Sequence, residues 1–423
     1  MKALKSNRLH IGVFGKTNVG KSSLINKIIG QEVSIVSDVA GTTTDVVEKS
    51  MELLPIGPVT FLDTAGLDDK TELAEKRIEK TLKVLDRVDI AVIVCEPDKF
   101  DNYEKDLIKE LEKLEIPYLI LINKCDMKKV EAQKVGGQEG KLADDNCHSG
   151  ISRKTRTNKD LTSYCLNVLT FIYTSINDPQ LISKFKQALI NLLPDDFVNP
   201  PKIAGDLIPP QSTVIMVIPI DKEAPKGRII LPQVQTLRDL LDSNCLVYSV
   251  KETELKQALD NLKEPPSLVI TDSQAFKKVS EIVPENIPLT SFSILFARLK
   301  GDLDEFVKGA KAIKNLKDGD CVLILESCTH HAIEDDIGRV KIPNLLRKKI
   351  GKNLVIHNYA GHDFPDIKDY KLIIHCGACM TNRREVLSRI LKANAQNIPI
   401  TNYGVVISYC LGIVDRAIKP LKN

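Results

Sequence analysis

The chain has 423 residues, which is longer than one hydrophobic core usually supports, so we expect roughly two to four domains. Hydrophobic residues make up 43% and charged residues 27% of the chain, as in a globular protein. Lysine and arginine nearly balance aspartate and glutamate, which leaves a net charge of +3. This balance argues against nucleic acid and against a membrane surface as the main partner.

No apolar run approaches the roughly 20 residues that would cross a bilayer. The short basic start of the chain lacks the apolar stretch of a secretory signal, so we expect a cytoplasmic protein or one of an organellar matrix. In such reducing compartments, clustered cysteines favour metal binding over disulfides. Five of the ten cysteines are isolated in apolar surroundings and are expected to be core residues: Cys95, Cys165, Cys245, Cys321 and Cys410.

Apolar strands alternate with amphipathic helices from the N-terminus to about residue 195. The strands are RLHIGVFG, VTFLD, IAVIVCE and YLILINK, and this βαβ alternation predicts an α/β domain with a mainly parallel sheet. A polar segment at about residues 127–167, rich in glycine and lysine, interrupts the pattern and indicates a surface insertion. Cys147 and His148 lie in it and are expected to be exposed loop residues.

Four prolines between residues 197 and 211 indicate a linker. A second α/β unit follows, with strands STVIMVIPI, CLVYSV and SLVITD and helices from Pro232 and Thr253. A third α/β unit starts near Pro284. Its expected elements, in order, are a strand SFSILFARL, a helix DLDEFVKGAKAIKNL, a strand CVLILES, a helix ending near Ile350, strands LVIHNYAG and KLIIHCGA, a helix NRREVLSRILKANAQ and a closing strand–helix pair.

The sequence GKTNVGKS at residues 15–22 fits the P-loop pattern and lies between a predicted strand and a predicted helix. Backbone N–H groups of such a loop face phosphate. Lys21 is expected to reach the β- and γ-phosphates and Ser22 to bind Mg²⁺. The expected nucleotide-binding residues of this segment are Gly15, Asn18, Val19, Gly20, Lys21, Ser22 and Ser23.

Three further motifs occur in the order typical of a GTPase. In DTAG at 63–66, Asp63 can hold the Mg²⁺ shell and the Gly66 N–H can contact the γ-phosphate. In GTTTD at 41–45, Thr43 is the hydroxyl expected to close on Mg²⁺. With Lys21, these residues form the expected catalytic set.

The third motif, NKCD at 123–126, follows a predicted strand and carries the base-binding residues Asn123, Lys124 and Asp126. Asp126 can accept hydrogen bonds from guanine N1–H and the 2-amino group, which adenine lacks. Ser175, in the sequence TSI, is a weaker match to the last base loop.

Two residues refine the expected mechanism. Leu67 stands where many small GTPases carry a water-orienting glutamine, so intrinsic hydrolysis should be slow or assisted in another way. Asn18, together with the GTTTD motif, resembles the potassium-activated GTPases of the tRNA-modifying type. That resemblance implies a K⁺ ion at Asn18 beside the phosphates. The first region alone would also fit a tRNA-modification or ribosome-assembly GTPase with a structural metal site.

A second candidate site contains Cys328, His330, His375, Cys376 and Cys379. Cys328 and His330 follow one predicted strand, and the sequence HCGAC at 375–379 follows another. The carboxyl ends of strands are where ligands bind in open α/β sheets. Three cysteines and one histidine, either His330 or His375, would satisfy zinc. An iron–sulfur cluster with three cysteines fits the spacing equally. A thioredoxin-like redox pair would leave Cys328 and His330 without a role.

The combination of GTTTD, DTAGLDD, the segment Asp221–Asp242 and the C-x-H and H-C-x-x-C motifs resembles the FeFe-hydrogenase maturation GTPases, the HydF family. The resemblance covers nearly the whole chain and departs from the family at the insertion. It implies a GTP-binding domain at 1–195, a small α/β dimerisation domain at 196–282 and an α/β cluster-binding domain at 283–423.

The resemblance also implies a function. Cys328, Cys376 and Cys379 would bind a 4Fe-4S cluster whose fourth iron position is exchangeable or variably filled, with His330 or His375 as a candidate ligand. A homodimer would accept a diiron precursor from two radical-SAM hydrogenase maturases and deliver it to apo FeFe-hydrogenase. GTP binding and hydrolysis to GDP, with Mg²⁺, would regulate the exchange of partners.

Overall fold

The computed structural model describes residues 8–31, 37–39, 47–64, 83–97, 99–126, 170–198, 201–220, 227, 229–327, 337–378 and 381–422. The chain divides into two compact units, Met1–Pro200 and Pro201–Asn423. Several residues singled out in the sequence lie outside the described residues: Thr43, Gly66, Leu67, Cys147, His148, Cys165, Cys328, His330 and Cys379. The whole insertion at 127–167 also lies outside them.

The first unit is built on a seven-stranded sheet with the strand order β2-β3-β4-β1-β5-β6-β7. Its elements, in chain order, are β1 (Leu9–Phe14), α1 (Lys21–Gln31), β2 (Ser37–Val39), β3 (Val47–Leu53), β4 (Gly57–Asp63), β5 (Ile90–Cys95), α2 (Asn102–Lys113), β6 (Tyr118–Ile122), β7 (Thr170–Tyr173), α3 (Leu181–Leu192) and α4 (Asp195–Val198). The pairs from β4 through β1, β5 and β6 to β7 are parallel. The pairs β2–β3 and β3–β4 are antiparallel.

Strands β1, β5 and β6 are buried along their whole length, as expected for parallel strands covered on both faces. Residues of α1 and α3 pack with one face of the sheet, and residues of α2 pack with the other. The sheet therefore presents the carboxyl ends of its parallel strands at one edge, where the nucleotide motifs follow.

The second unit contains two four-stranded parallel sheets. The first sheet has the order β11-β10-β8-β9. Its elements are β8 (Thr213–Val217), α5 (Leu231–Asp242), β9 (Leu246–Val250), α6 (Leu255–Asp260), β10 (Leu268–Thr271), α7 (Phe276–Ile282), β11 (Leu289–Ser291) and α8 (Phe292–Lys300). The boundary expected at residue 282 falls before β11, which belongs to this sheet.

The other sheet of this unit has the order β13-β12-β14-β15. Its elements are α9 (Leu303–Ala312), β12 (Cys321–Glu326), α10 (Ile342–Ile350), β13 (Val355–Ala360), β14 (Leu372–His375), α11 (Arg383–Ala395), β15 (Ile400–Asn402), α12 (Tyr403–Leu411) and α13 (Val414–Ile418). One continuous hydrophobic core takes residues from both sheets, such as Val269 and Ile324. The predicted fold class, a P-loop GTPase domain followed by two α/β domains, is confirmed.

One expected element is wrong. The run SFSILFARL was predicted to be a strand, but β11 ends at Ser291 and helix α8 begins at Phe292. The Ser291 side chain accepts a hydrogen bond from the Ile294 N–H and caps the helix. A short apolar run has no polar face to reveal its period, so a buried helix and a buried strand look alike in sequence.

A search of the described helices finds none with the length and apolar character needed to cross a membrane.

Candidate functional site

The P-loop adopts a conformation that two of its glycines make accessible. Gly15 has φ +142°, and a Cβ there would lie 2.1 Å from the Val94 carbonyl oxygen. Gly20 has φ +102°, and a Cβ there would lie 2.3 Å from Asn123 Nδ2. The loop thus packs directly against the ends of β5 and β6. Helix α1 begins at Lys21 with no acidic residue in its first turn, so its N-terminus is suited to phosphate.

Lys21 is buried, and its ammonium group donates hydrogen bonds to the carbonyl oxygens of Gly15 and, at 2.9 Å, of Lys16. Ser22 is half-buried at the start of α1, and Ser23 is exposed. This places the lysine head group over the loop that is expected to hold the phosphates.

Asp63 lies on the strand next to the one that leads into the P-loop. It ends β4, is buried, and pairs in register with Val13 of β1, immediately before the P-loop. The next residue, Thr64, donates a hydrogen bond to the Val13 carbonyl oxygen at 2.6 Å. The register therefore places Asp63 at the same edge of the sheet as the P-loop. A carboxylate, a lysine and a serine hydroxyl are the side-chain types that hold Mg²⁺ and triphosphate.

Two residues of the NKCD base motif donate hydrogen bonds to the P-loop backbone. Asn123 Nδ2 donates to the Val19 carbonyl oxygen at 2.8 Å, and Lys124 Nζ donates to the Asn18 carbonyl oxygen at 2.6 Å. Asn18 has φ 65° and an exposed side chain. Lys124 also pairs with Glu96, and the lysines at 124 and 99 lower the pKa of that carboxyl. Sequence reasoning missed Glu96, which directly follows the strand IAVIVC.

The structure brings Asp126 and Ser175 together. Ser175 Oγ donates to Asp126 Oδ2 at 2.8 Å, and Asn177 Nδ2 donates to the same oxygen at 3.3 Å. The backbone N–H of Cys125 bonds the Thr174 carbonyl oxygen at 3.2 Å. These contacts orient the carboxylate expected to read guanine. Asn177 was missed, although it lies two residues after Ser175.

A further contact missed in the sequence ties the P-loop to α2. Lys16 bonds Asp101 and lies 3.5 Å from Glu104. Asp101 and Glu104 form the capping box of α2, a D-x-x-E signal that is readable from sequence. Burial raises the pKa of Glu104, whereas the bond from Lys16 lowers the pKa of Asp101.

The second candidate site lies at the carboxyl edge of the sheet that contains β12 and β14. These strands are parallel neighbours, with Leu325 opposite His375, so Ser327 and Cys376 emerge side by side. The Ser327 N–H donates to Cys376 Sγ at 3.3 Å, and Cys376 Sγ lies 3.5 Å from Ser327 Oγ. The Cys376 N–H continues the ladder to the Leu325 carbonyl oxygen at 2.8 Å.

Cys376 differs chemically from the core cysteines. Burial disfavours its thiolate, whereas the Ser327 hydroxyl and the Ala378 backbone N–H favour it and lower the pKa. In contrast, burial raises the pKa of Cys95 to about 12 and that of Cys410 to about 11. A thiolate is the form that binds metal, and the hydrogen-bond donors directed at its sulfur make Cys376 suited to the role of a metal ligand.

His375, the other described member of this site, has a hydrogen-bond partner at each ring nitrogen. Its Nδ1 lies 2.8 Å from the Cys376 carbonyl oxygen, which can only accept, so Nδ1 carries the proton. Its Nε2 lies 2.8 Å from Arg389 Nη1, which can only donate, so Nε2 is the acceptor. Both ring nitrogens are engaged and the ring is buried. The alternative candidate ligand, His330, lies outside the described residues, so the choice between the two histidines stays a prediction.

Arg389 of α11 links the ends of three strands. Its guanidinium donates to Ser327 Oγ after β12 at 3.2 Å and to the Gly361 carbonyl oxygen after β13 at 2.9 Å. It also donates to His375 at the end of β14 and pairs with Glu385 at 2.7 Å. Arg389 and Glu385 are buried. The side chain of Arg389 therefore connects the carboxyl ends of β12, β13 and β14, next to Cys376.

Within the described part of the chain, no group of three or more histidine, cysteine and acidic side chains is arranged to hold a metal ion. Cys328 directly follows Ser327, and Cys379 directly follows Ala378, but both lie outside the described residues. The approach of the three cysteines therefore stays a prediction.

Three models of known protein families match separate stretches of the chain. A family model described as the hydrogen maturase F dimerization domain matches residues 203–301, and one described as the hydrogen maturase F tetramerization domain matches residues 304–420. Together they span more than half of the chain. The chain belongs to the hydrogen maturase F family. Residues 10–124 match a model described as 50S ribosome-binding GTPase, so this family member carries a GTPase domain.

Curated relatives resemble this hydrogen maturase F chain over only part of their length. The tRNA modification GTPase MnmE of Caldicellulosiruptor saccharolyticus is 34% identical over 144 residues, which are 33% of this chain and 31% of MnmE. GTPase Der of a Nitratiruptor species is 32% identical over 228 residues, 51% of this chain and 49% of Der. The chain thus spans half or less of the length of these relatives.

Among solved structures, Era of Aquifex aeolicus is 14% identical with a TM-score of 0.29, and the alignment covers 57% of this chain and 93% of that chain. The G domain of the Thermotoga maritima iron transporter FeoB is 17% identical with a TM-score of 0.27, covering 44% of this chain and 98% of that chain.

Proposed function

We propose that this chain is a GTPase scaffold for the assembly of the FeFe-hydrogenase active-site cluster. Cys328, Cys376 and Cys379 bind a 4Fe-4S cluster, and the protein accepts a diiron precursor from radical-SAM maturases and delivers it to apo FeFe-hydrogenase. The hydrogen maturase F domains support the maturation role. The observation that carries the cluster site is Cys376, a thiol at a strand end with the Ser327 N–H directed at its sulfur.

In this proposal the protein's part in cluster binding is to supply three thiolates, of which Cys376 is the one that the structure describes. Cys376 is positioned by the ladder bond to Leu325 and by the N–H of Ser327. Asn382 caps α11 by accepting from the Glu385 N–H at 3.1 Å, and the N-terminus of α11 favours negative charge nearby. When bound, the cluster supplies an iron position that can hold the diiron cargo. The fourth iron position is exchangeable or variably filled, with His330 or His375 as the candidate histidine ligand.

The GTPase domain controls partner exchange in this proposal. Lys21, Ser22 and Asp63 hold Mg²⁺ and the phosphates, with Thr43 and Gly66 from the switch segments, and Asp126 reads guanine. A K⁺ ion at Asn18 supplies positive charge during hydrolysis to GDP. A loop ordered by γ-phosphate and Mg²⁺ is a two-state element that can bias an interface.

The working unit in this proposal is a homodimer, joined through the first sheet of the second unit. Strand β9 is an edge strand in the order β11-β10-β8-β9, and its Leu246 and Tyr248 are 59% and 49% exposed. The adjoining helix α5 exposes Val234 and Leu241. An unpaired edge with apolar side chains is a template for pairing with another strand, and a second copy of the chain supplies a matching one.

The alternative function, in tRNA modification or ribosome assembly, draws support only from the similarity of the GTPase domain. MnmE matches a third of the chain, and the maturase domains occupy residues 203–420. We therefore keep hydrogenase maturation as the proposed function.

The test is co-expression with the two radical-SAM maturases, followed by addition of the purified chain to apo-hydrogenase. We expect hydrogenase activity with the wild type, little or none with Cys376→Ala, and wild-type activity with Cys245→Ala, which removes a buried core thiol. Failure of the wild type with its iron–sulfur cluster intact would refute the scaffold role, and equal activity of Cys376→Ala would refute the assigned ligand.

A further inference from the structure

Ser327 presents two hydrogen-bond donors to the sulfur of Cys376. Its backbone N–H lies 3.3 Å from Cys376 Sγ, and its hydroxyl oxygen lies 3.5 Å from the same sulfur. Ser327 is buried, so water does not readily replace these contacts. A neutral thiol can donate to the hydroxyl oxygen, but a thiolate can only accept. The hydroxyl must then turn its hydrogen toward the sulfur.

Arg389 makes that orientation of the hydroxyl favourable. A guanidinium has donors and no acceptor, so its contact of 3.2 Å with Ser327 Oγ engages an oxygen lone pair and leaves the hydroxyl hydrogen for another partner. The guanidinium is itself fixed by Gly361, Glu385 and His375. Its charge is paired with Glu385, so its influence on the sulfur passes chiefly through Ser327.

We propose that Ser327 and Arg389 are positioning residues that set the reduction potential of the cluster bound at Cys376. Ser327 donates to the ligand sulfur, and Arg389 holds the Ser327 hydroxyl in the donating orientation. The inference rests on the proposed cluster site and goes beyond it, because it assigns control of the electronic state to two residues that do not touch iron.

The physical reason is that hydrogen bonds to a ligand sulfur withdraw electron density from the cluster. They stabilise the reduced form, which carries one more negative charge, and so raise the potential. Losing one donor lowers the potential and makes the reduced state harder to populate. In a scaffold, the reduction potential determines whether the cluster is oxidised or reduced when a partner docks.

A purely structural role for the same residues predicts a different result. If Arg389 only ties together the ends of β12, β13 and β14, replacing it lowers stability and cluster content but leaves the potential of the clusters that remain unchanged. The potential therefore separates the two roles, and stability does not.

The experiment is a redox titration of the anaerobically reconstituted full chain, followed by electron paramagnetic resonance of the reduced cluster. Iron and sulfide content and thermal unfolding are measured in parallel. We expect Ser327→Ala to shift the midpoint potential to a more negative value with iron content retained, and Ser327→Thr, which keeps the hydroxyl, to restore it. Arg389→Lys keeps the charge but cannot span the same partners, so it should shift the potential in the same direction.

Two control variants match these changes elsewhere in the same unit. Ser408→Ala removes a buried hydroxyl that bonds within its own helix, to the Val405 carbonyl oxygen at 2.9 Å. Arg416→Lys alters a guanidinium that binds the carbonyl oxygens of Val283 and Pro284. Both should leave the potential at the wild-type value.

An unchanged potential in Ser327→Ala with the cluster intact would overturn the inference while leaving the proposed function standing. If Ser327→Ala does not fold, an unchanged potential in Arg389→Lys would overturn the inference equally. A wild-type chain that binds no iron would overturn both the cluster site and this inference.

Discussion

Replacing Gly20 by alanine should weaken GTP binding by breaking one contact between the P-loop and the base motif. A Cβ at Gly20 would lie 2.3 Å from Asn123 Nδ2, too close for both groups to stay in place. Asn123 then loses its bond to the Val19 carbonyl oxygen, which is 2.8 Å long and buried. Leaving such a group unsatisfied costs about 1–3 kcal/mol, which corresponds to a loss of affinity of roughly 5- to 150-fold.

Gly57→Ala supplies the matched control for this prediction. Gly57 has φ +107°, close to the +102° of Gly20, but nothing lies within 4 Å of a Cβ placed there. Both variants should lose about 1–3 kcal/mol of unfolding free energy through backbone strain. Only Gly20→Ala should lose affinity for GTP.

The assay is titration calorimetry with Mg²⁺–GTP, together with denaturant unfolding of both variants. A wild-type affinity in Gly20→Ala would refute the reasoning, because the contact with Asn123 would then have no part in nucleotide binding. Equal losses of affinity in the two variants would refute it as well, since strain alone would explain them.

Three other changes test separate contacts. Asp126→Asn should lower GTP affinity at least about 10-fold and Ser175→Ala by less, measured by fluorescent nucleotide binding, because Asp126 is the expected guanine acceptor and Ser175 orients it; equal effects would contradict these roles. Lys124 and Lys99 lower the pKa of Glu96 from its ordinary 4.5, so its stabilisation is present above pH 4.5 and is lost as the pH falls through the lower folded-state value. Glu96→Gln should therefore reduce the loss of unfolding free energy on acidification, and an unaltered pH profile in urea unfolding would argue against the ion pairs. Leu246→Lys on the β9 edge should yield a monomer by light scattering, whereas a persisting dimer would place the interface elsewhere.

The sequence predicted those parts of the molecule that depend on local motifs. The P-loop, Asp63 and the NKCD motif all follow strand ends that were identified from apolar runs, and parallel strands bring such ends to one edge. The structure places Ser175 against Asp126 although its motif is weak. The pairing of β6 with β7 brings these two residues together, which the local sequence pattern could not indicate.

What the sequence did not predict depends on contacts between distant residues. Arg389 lies 62 positions from Ser327, inside a helix that was predicted correctly, yet nothing in its local pattern indicates a buried side chain that joins three strands. The contact of the same guanidinium with His375 Nε2 was not predicted either, because the sequence beside Cys376 does not show which partners that histidine has. Helix α8 was predicted as a strand because its apolar residues show no helical period.

The proposed scaffold function depends most directly on iron bound by three cysteines that are distant in the sequence. Anomalous diffraction at the iron absorption edge, recorded from crystals of the anaerobically reconstituted chain, would locate the metal. We predict one cluster-sized peak within bonding distance of the sulfurs of Cys328, Cys376 and Cys379. Iron elsewhere in the chain, or bound without the sulfur of Cys376, would contradict the account.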